Sequence, residues 1–132
     1  MKVPFNINLS GKTAIVTGGS GTLCSAMAYG LAVSGAKVAI IGRNIEKLAS
    51  VSEKLTKNAL DEYNKGVTIK GYSCNVINKD ELTAAYETIK NELGSCDILI
   101  NGAGGNQPGA ITSIEMLKKD KEDSDYSFWN LD

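Results

Sequence analysis

The sequence predicts an α/β fold in which a parallel sheet carries helices on both faces, and three observations predict it. Four short apolar runs, largely β-branched, recur along the chain; stretches with apolar residues at helical spacing separate them; glycine or a capping residue stands at the joints. Strands alternating with helices of this length form parallel sheets, and right-handed crossovers leave 3-2-1-4 as the expected strand order.

The first run, Thr13 to Thr17 (TAIVT), ends in Gly18-Gly19-Ser20-Gly21, the pattern of a buried strand feeding a tight turn. Leu23, Met27 and Leu31, with Ala26, Ala28 and Ala32, then recur at helical spacing until Gly35 stops the helix. Lys37 to Ile41 (KVAII) is the second strand. Asn44 can cap a helix whose Leu48, Val51 and Leu55 share a face, and after the polar stretch KNALDEYNKG, Val67 to Cys74 reads as the third strand. Asn78 with Glu81 three residues on resembles a capping box; Leu82, Ala85, Ile89 and Leu93 follow, and Gly94 ends that helix. Asp97 to Asn101 (DILIN) is the fourth strand. From Gly102 the regularity fails, so 105–132 reads as irregular loop leading into the next part of the fold: Glu115 to Asp125 is mostly charged, and Tyr126, Phe128 and Trp129 cluster after it. Residues 1–132 are expected to form a single domain.

Composition narrows the chemistry. Lys and Arg number 14 against 15 Asp and Glu, a formal net charge of −1 with no basic block, which argues against a nucleic-acid partner. The chain contains no histidine, which removes the Ser-His-Asp and Cys-His constellations and zinc sites built on imidazole, and no metal site is expected. Cys24, Cys74 and Cys96 are widely spaced with no C-x-x-C pair, so they read as reduced core residues in a cytoplasmic protein. No run approaches the roughly 18 uninterrupted apolar residues of a membrane helix, and a membrane partner is not expected.

Gly19-x-Gly21-x-x-Cys24, between a strand and a helix, is a near miss to G-x-G-x-x-G. In that loop glycines let backbone approach a pyrophosphate, and the following helix offers its N-terminal N–H groups. The expected architecture is therefore Rossmann-type. No Gly-Lys-[Ser/Thr] follows the glycines, which excludes a P-loop NTPase.

Thr17-Gly18-Gly19-Ser20-Gly21-Thr22-Leu23 resembles the T-G-x-x-x-G-[IL]-G loop of the short-chain dehydrogenase/reductase family, and Asp97-Ile98-Leu99-Ile100-Asn101-Gly102-Ala103-Gly104 is similar to its D-x-L-[IV]-N-N-A-G. The resemblance covers about residues 9–132. It implies a nicotinamide cofactor across the carboxyl ends of the strands, with Gly18, Ser20, Gly21 and Leu23 at the diphosphate. Asn75-Val76 would lie against the adenine, where the family usually has Asp-Val, and Asn101, Ala103 and Gly104 on the ribose and nicotinamide side. Thr22 and Cys24 depart from the pattern at the second and third loop glycines; the Gly19/Gly21 pair would shift the tight turn earlier.

The phosphate state of the cofactor is read at the end of the second strand, where Gly42-Arg43-Asn44 offers no carboxylate. Arg43, with its planar donor fork, leads the expectation to NADP rather than NAD, with Asn44 beside it.

The resemblance also implies a Tyr-x-x-x-Lys pair after the Asn-Ala-Gly loop, whose phenol protonates a carbonyl while the nicotinamide gives hydride. Tyr86-Glu87-Thr88-Ile89-Lys90 has the spacing but lies before the fourth strand and reads as helix packing, and Tyr126 lacks the lysine. The expectation is a dinucleotide-binding half, truncated after the fourth strand, with no catalytic residue among 1–132 and a homo-oligomeric full-length form. Asn101 to Pro108 (NGAGGNQP) resembles a subgroup that includes sugar-acid oxidoreductases acting on mannonate and fructuronate, so the expected small-molecule substrate is a polyhydroxy acid. The alternatives are a non-catalytic NAD(P)-binding module and an inactive remnant.

Overall fold

The computed structural model describes residues 7–104. The order is β1 (Thr13–Thr17), α1 (Thr22–Val33), β2 (Lys37–Gly42), α2 (Ile45–Tyr63), β3 (Thr68–Ser73), α3 (Lys79–Glu92) and β4 (Ile98–Ile100). The four strands form one sheet in the order β3-β2-β1-β4, every pair parallel. Thr13 pairs with Lys37 and Ile15 with both Ala39 and Leu99, which brings all four carboxyl ends to one edge. The chain reverses its direction of strand addition between β1 and β4, where a crevice opens at that edge.

The pleat divides the core by face. Ala14, Val16, Val38 and Ile40 point to one side, against Ala28 and Ala32 of α1 and Leu48 and Leu55 of α2. Ile15, Ala39 and Ile41 point to the other, against Ala85 and Ile89 of α3. Covered on both faces, β1 is buried along its whole length, which explains why its sequence is apolar without alternation.

Of the residues at helical spacing in α1, Ala28 and Ala32 pack against the sheet, whereas Leu23 is 72% exposed and Met27 and Leu31 only border the core. The buried face is Cys24, Ala28, Tyr29 and Ala32, rotated by about one residue. Small side chains let the helix axis come close to the strands, a contact that the larger leucines would hold apart. The third and fourth strands are also shorter at both ends than expected, and Leu82 of the α3 stripe is 37% exposed.

The helix ends follow the capping residues. Asn44 Oδ1 accepts from the Lys47 N–H at 2.8 Å, and Asn78 Oδ1 accepts from the N–H groups of Asp80 and Glu81. Glu81 answers through Asn78 Nδ2 at 3.0 Å and reaches back to the Asn75 N–H at 2.8 Å, a wider version of the capping box. Gly35 and Gly94, at φ +108° and +114°, follow α1 and α3, and Asn64 takes the left-handed position after α2. All three cysteines are unpaired; Cys24 and Cys74 are buried, whereas Cys96 is half-buried.

Asp97 ties β4 to β1. Its Oδ2 accepts from the Thr13 N–H at 2.9 Å, and Lys12 Nζ lies 3.2 Å from Oδ1. The Thr13 N–H first, and the Lys12 ammonium second, hold the carboxyl below its ordinary range. A lowered folded-state pKa means the stabilisation is complete above the unfolded value, near 4, and lost as the pH falls through the folded value. In urea unfolding from pH 6 to pH 2, Asp97→Asn is therefore expected to be less stable than wild type at pH 6, with the gap closing toward pH 2. A gap independent of pH would contradict the assignment.

Candidate functional site

β1 runs directly into a glycine-rich turn. Gly18 sits at φ +68°, and the Gly21 N–H donates to the Gly18 carbonyl at 2.9 Å, closing the turn over residues 18–21. The Gly19 N–H donates to the Ile41 carbonyl at 3.1 Å, which presses the turn against β2 so closely that a Cβ on Gly19 would lie 2.5 Å from Ile40 Cβ.

Gly21 then caps α1 with no side-chain acceptor, and the first turn of the helix carries no acidic residue. The other two helices differ: α2 has the Asn44 cap and Glu46, and α3 has the Asn78 cap with Asp80 and Glu81. Among the described helices, α1 alone begins with its N–H groups and positive dipole end uncompensated by protein, the arrangement that favours an anionic ligand.

The turn forms one wall of a cleft of about 820 Å³ along the carboxyl edge of the sheet. Gly42 at the end of β2 with Arg43 after it, and Cys74 to Ile77, after β3, form its far end; Asn101 to Gly104, after β4, form the opposite wall. The Cys74 N–H donates to the Gly42 carbonyl and Ser73 Oγ donates to the Arg43 carbonyl, so the two segments at the far end hold each other. Burial pushes the Cys74 thiol up, and Glu81 adds to the shift, so this cysteine is a neutral part of the floor.

Thr17 organises the opposite wall. Its hydroxyl accepts from the N–H groups of Gly102 at 3.0 Å and Ala103 at 3.1 Å, and donates to the Ile100 carbonyl at 3.4 Å. The last residue of β1 thus fixes the loop after β4 while its own backbone leads into the glycine turn.

Gly18, Ser20, Gly21, Leu23, Arg43, Asn75, Val76, Asn101, Ala103 and Gly104 all line this cleft. Asn44 is not among the residues lining the cleft; its side-chain oxygen accepts from the Lys47 N–H as the α2 cap. Lys47 lines the cleft in its place, close to Arg43 in sequence and one helical turn past the cap. Sequence reasoning passed over it, although its spacing from Arg43 was the available signal. Among the described residues lining the cleft there is no carboxylate, and Arg43, Lys47 and the α1 N-terminus give that part of it a cationic character.

Tyr86 lies elsewhere. It is 36% exposed on α3 and borders an apolar groove of about 640 Å³ with Leu82 and Leu99, on the other side of the sheet from α1. Lys90, one turn further along α3, is exposed. Tyr126 lies outside the described residues, as do the charged stretch from Glu115 to Asp125 and the whole of 105–132.

The comparisons agree with this geometry. The short chain dehydrogenase family profile matches residues 12–123. An uncharacterized oxidoreductase of Bacillus subtilis, UxuB, is 43% identical over 130 residues, which are 98% of this chain and 44% of that protein. The 2-dehydro-3-deoxy-D-gluconate 5-dehydrogenase of Formosa agariphila is 40% identical over 98 residues, 74% of this chain and 34% of that protein. Among solved structures, a Haemophilus influenza protein provisionally named a D-mannonate oxidoreductase, with bound NAD, superposes with a TM-score of 0.71 at 35% identity, over 96% of this chain and 43% of its own. The chain thus spans less than half the length of these relatives. With the glycine turn, the parallel 3-2-1-4 sheet and the Asn-Gly-Ala-Gly loop arranged around one cleft, and a family match over most of the sequence, the chain belongs to the short-chain dehydrogenase family.

Proposed function

We propose that the cleft binds a nicotinamide adenine dinucleotide, NADP in preference to NAD, and that the chain provides this binding for an oxidoreductase moving hydride between the cofactor and an alcohol or carbonyl. The observation that carries the reading is the uncapped, acid-free start of α1 at the glycine turn, opening onto a cleft of about 820 Å³.

The residues present fit the cofactor by their chemistry. The diphosphate belongs against Gly18, Ser20, Gly21 and Leu23, where Gly21 carries no side chain at the helix start and α1 supplies N–H donors. Asn75 and Val76 border the adenine end, and Asn101, Ala103 and Gly104 the ribose and nicotinamide end. Arg43 and Lys47, at the far end with no carboxylate among the described lining residues, suit the extra phosphate of NADP; an acidic residue would stand there to hold a free ribose hydroxyl. When bound, the nicotinamide supplies the hydride.

Residues 1–132 are read as one dinucleotide-binding domain. The substrate class is a sugar acid, supported by the Asn101–Pro108 loop sequence and by two relatives whose names denote sugar-acid oxidoreductases. The unpaired cysteines agree with a reducing cytoplasm, and a homo-oligomeric whole protein is part of the same reading. Among the described residues no helix is long and apolar enough to cross a membrane.

Fluorescence titration of the 132-residue chain tests the reading. NADPH is expected to saturate at lower concentration than NADH, and salt is expected to weaken NADPH more. Equal affinities would remove the NADP preference, and no saturable signal with either would remove the cofactor assignment.

A further inference from the structure

We propose that Cys24 and Gly102 are an interlocked pair: the thiol fills the space of a side chain at position 102 and holds the Gly102–Gly104 backbone at its level over the cleft, making Cys24 a positioning residue for the dinucleotide. The functional half of this inference rests on the reading above; the interlock itself does not.

Gly102 is not required by backbone conformation, since it is not among the glycines with positive φ. It is required by space. A Cβ built on it collides with Cys24 Sγ and comes within 2.9 Å of the Thr17 carbonyl oxygen. Cys24, in the first turn of α1, is only 7% exposed, and its thiol donates to the Gly102 carbonyl at 3.6 Å. The same peptide is held from below, where Thr17 Oγ1 accepts the Gly102 and Ala103 N–H groups. It is held again from the turn, where a Cβ on Gly18 would lie 2.6 Å from the Gly102 oxygen.

Thr17, Gly18 and Cys24 all belong to the strand, turn and helix that form the first wall of the cleft, so the Gly102 peptide joins its two walls into one body. The two departures in the sequence, a cysteine where the loop pattern has its third glycine and a glycine where the later motif has its second asparagine, then become a single change. Bulk has moved from one side of a shared space to the other. The thiol sets how far the loop bearing Asn101 and Ala103 stands from the α1 N-terminus, and hence the width offered to the nucleotide.

A double-mutant cycle of Gly102→Ala and Cys24→Gly in the 132-residue chain tests this, read both as thermal midpoint without ligand and as NADPH affinity. In the Cys24 background, Gly102→Ala is expected to lower the midpoint by roughly 5 °C or more and to weaken NADPH about tenfold or more. With Cys24→Gly the thiol is gone and only the Thr17 carbonyl must yield, so the same change is expected to lose less than half as much in both measurements. Cys24→Ser keeps a donor for the Gly102 carbonyl and is expected to retain more NADPH affinity than Cys24→Gly. Losses from Gly102→Ala that are identical in both backgrounds would overturn the interlock. Coupling in the midpoint with none in NADPH affinity would overturn the positioning role. If the wild-type chain binds no NADPH while the midpoints couple, the dinucleotide reading and the positioning role fall together, and the interlock stands.

Discussion

Replacing Gly19 with alanine is expected to destabilise the chain by about 2–4 kcal/mol and to abolish saturable NADPH binding. The added Cβ would meet Ile40 Cβ at 2.5 Å, Cγ2 at 2.8 Å and Cα at 3.1 Å, and Ile40 is fully buried at the centre of β2. Ile40 packs in the core cluster with Val16, Val38 and Leu48, so it has no free volume into which to retreat. The strand or the turn must shift, and the turn is the wall on which the diphosphate is proposed to lie. Gly21→Ala is the control. Its Cβ meets nothing closer than the Gly18 oxygen at 3.3 Å, at φ −80°, so less than about 1 kcal/mol of stability is at stake. Urea denaturation of the two variants checks the contrast, and similar losses in both would show that the turn is not pressed onto β2 in this way.

Arg43→Ala is expected to weaken NADPH about tenfold while changing NADH less than threefold, the loss of one charge-assisted contact worth about 1.5 kcal/mol at an exposed position. Arg43 makes no ion pair among the described residues, so its guanidinium is available to a ligand and its removal leaves no orphaned protein partner. Lys47→Ala is expected to act in the same direction by a smaller factor, because an ammonium offers one screened charge in place of a two-pronged fork. Raising the salt should shrink both differences. Titrations with the two cofactors check this, and an equal loss on NADPH and NADH would move Arg43 away from the phosphate.

The fold was legible because its signals are local and mutually consistent. A β-branched run, a glycine turn and a helix stripe each follow from residues close in sequence, and parallel crossovers then leave little choice of strand order. The buried face of α1 does not follow from hydrophobicity alone. Leu23 is the larger apolar residue, but Cys24, Ala28 and Ala32 are the ones small enough to let the helix lie close to the sheet. Most of the cleft was legible for a similar reason, since its lining comes from the residues that follow each strand. Asn44 and Lys47 were not told apart, because sequence offers both a cap and a ligand role for an asparagine at a helix start. The hydrogen bond that decides between them depends on the φ/ψ of the turn. The Cys24–Gly102 contact spans 78 positions, so only the folded chain brings the two residues together.

In the proposed function, the cleft at the carboxyl edge of the sheet holds the dinucleotide. The most direct measurement is amide chemical-shift mapping on the isotope-labelled chain as NADPH is added. The largest shifts are expected at Gly18 to Leu23, at Arg43 and Lys47, and at Asn101 to Gly104, with the α3 groove residues Leu82 and Tyr86 little changed. Shifts centred on Leu82, Tyr86 and Leu99, or none at saturating NADPH, would contradict it.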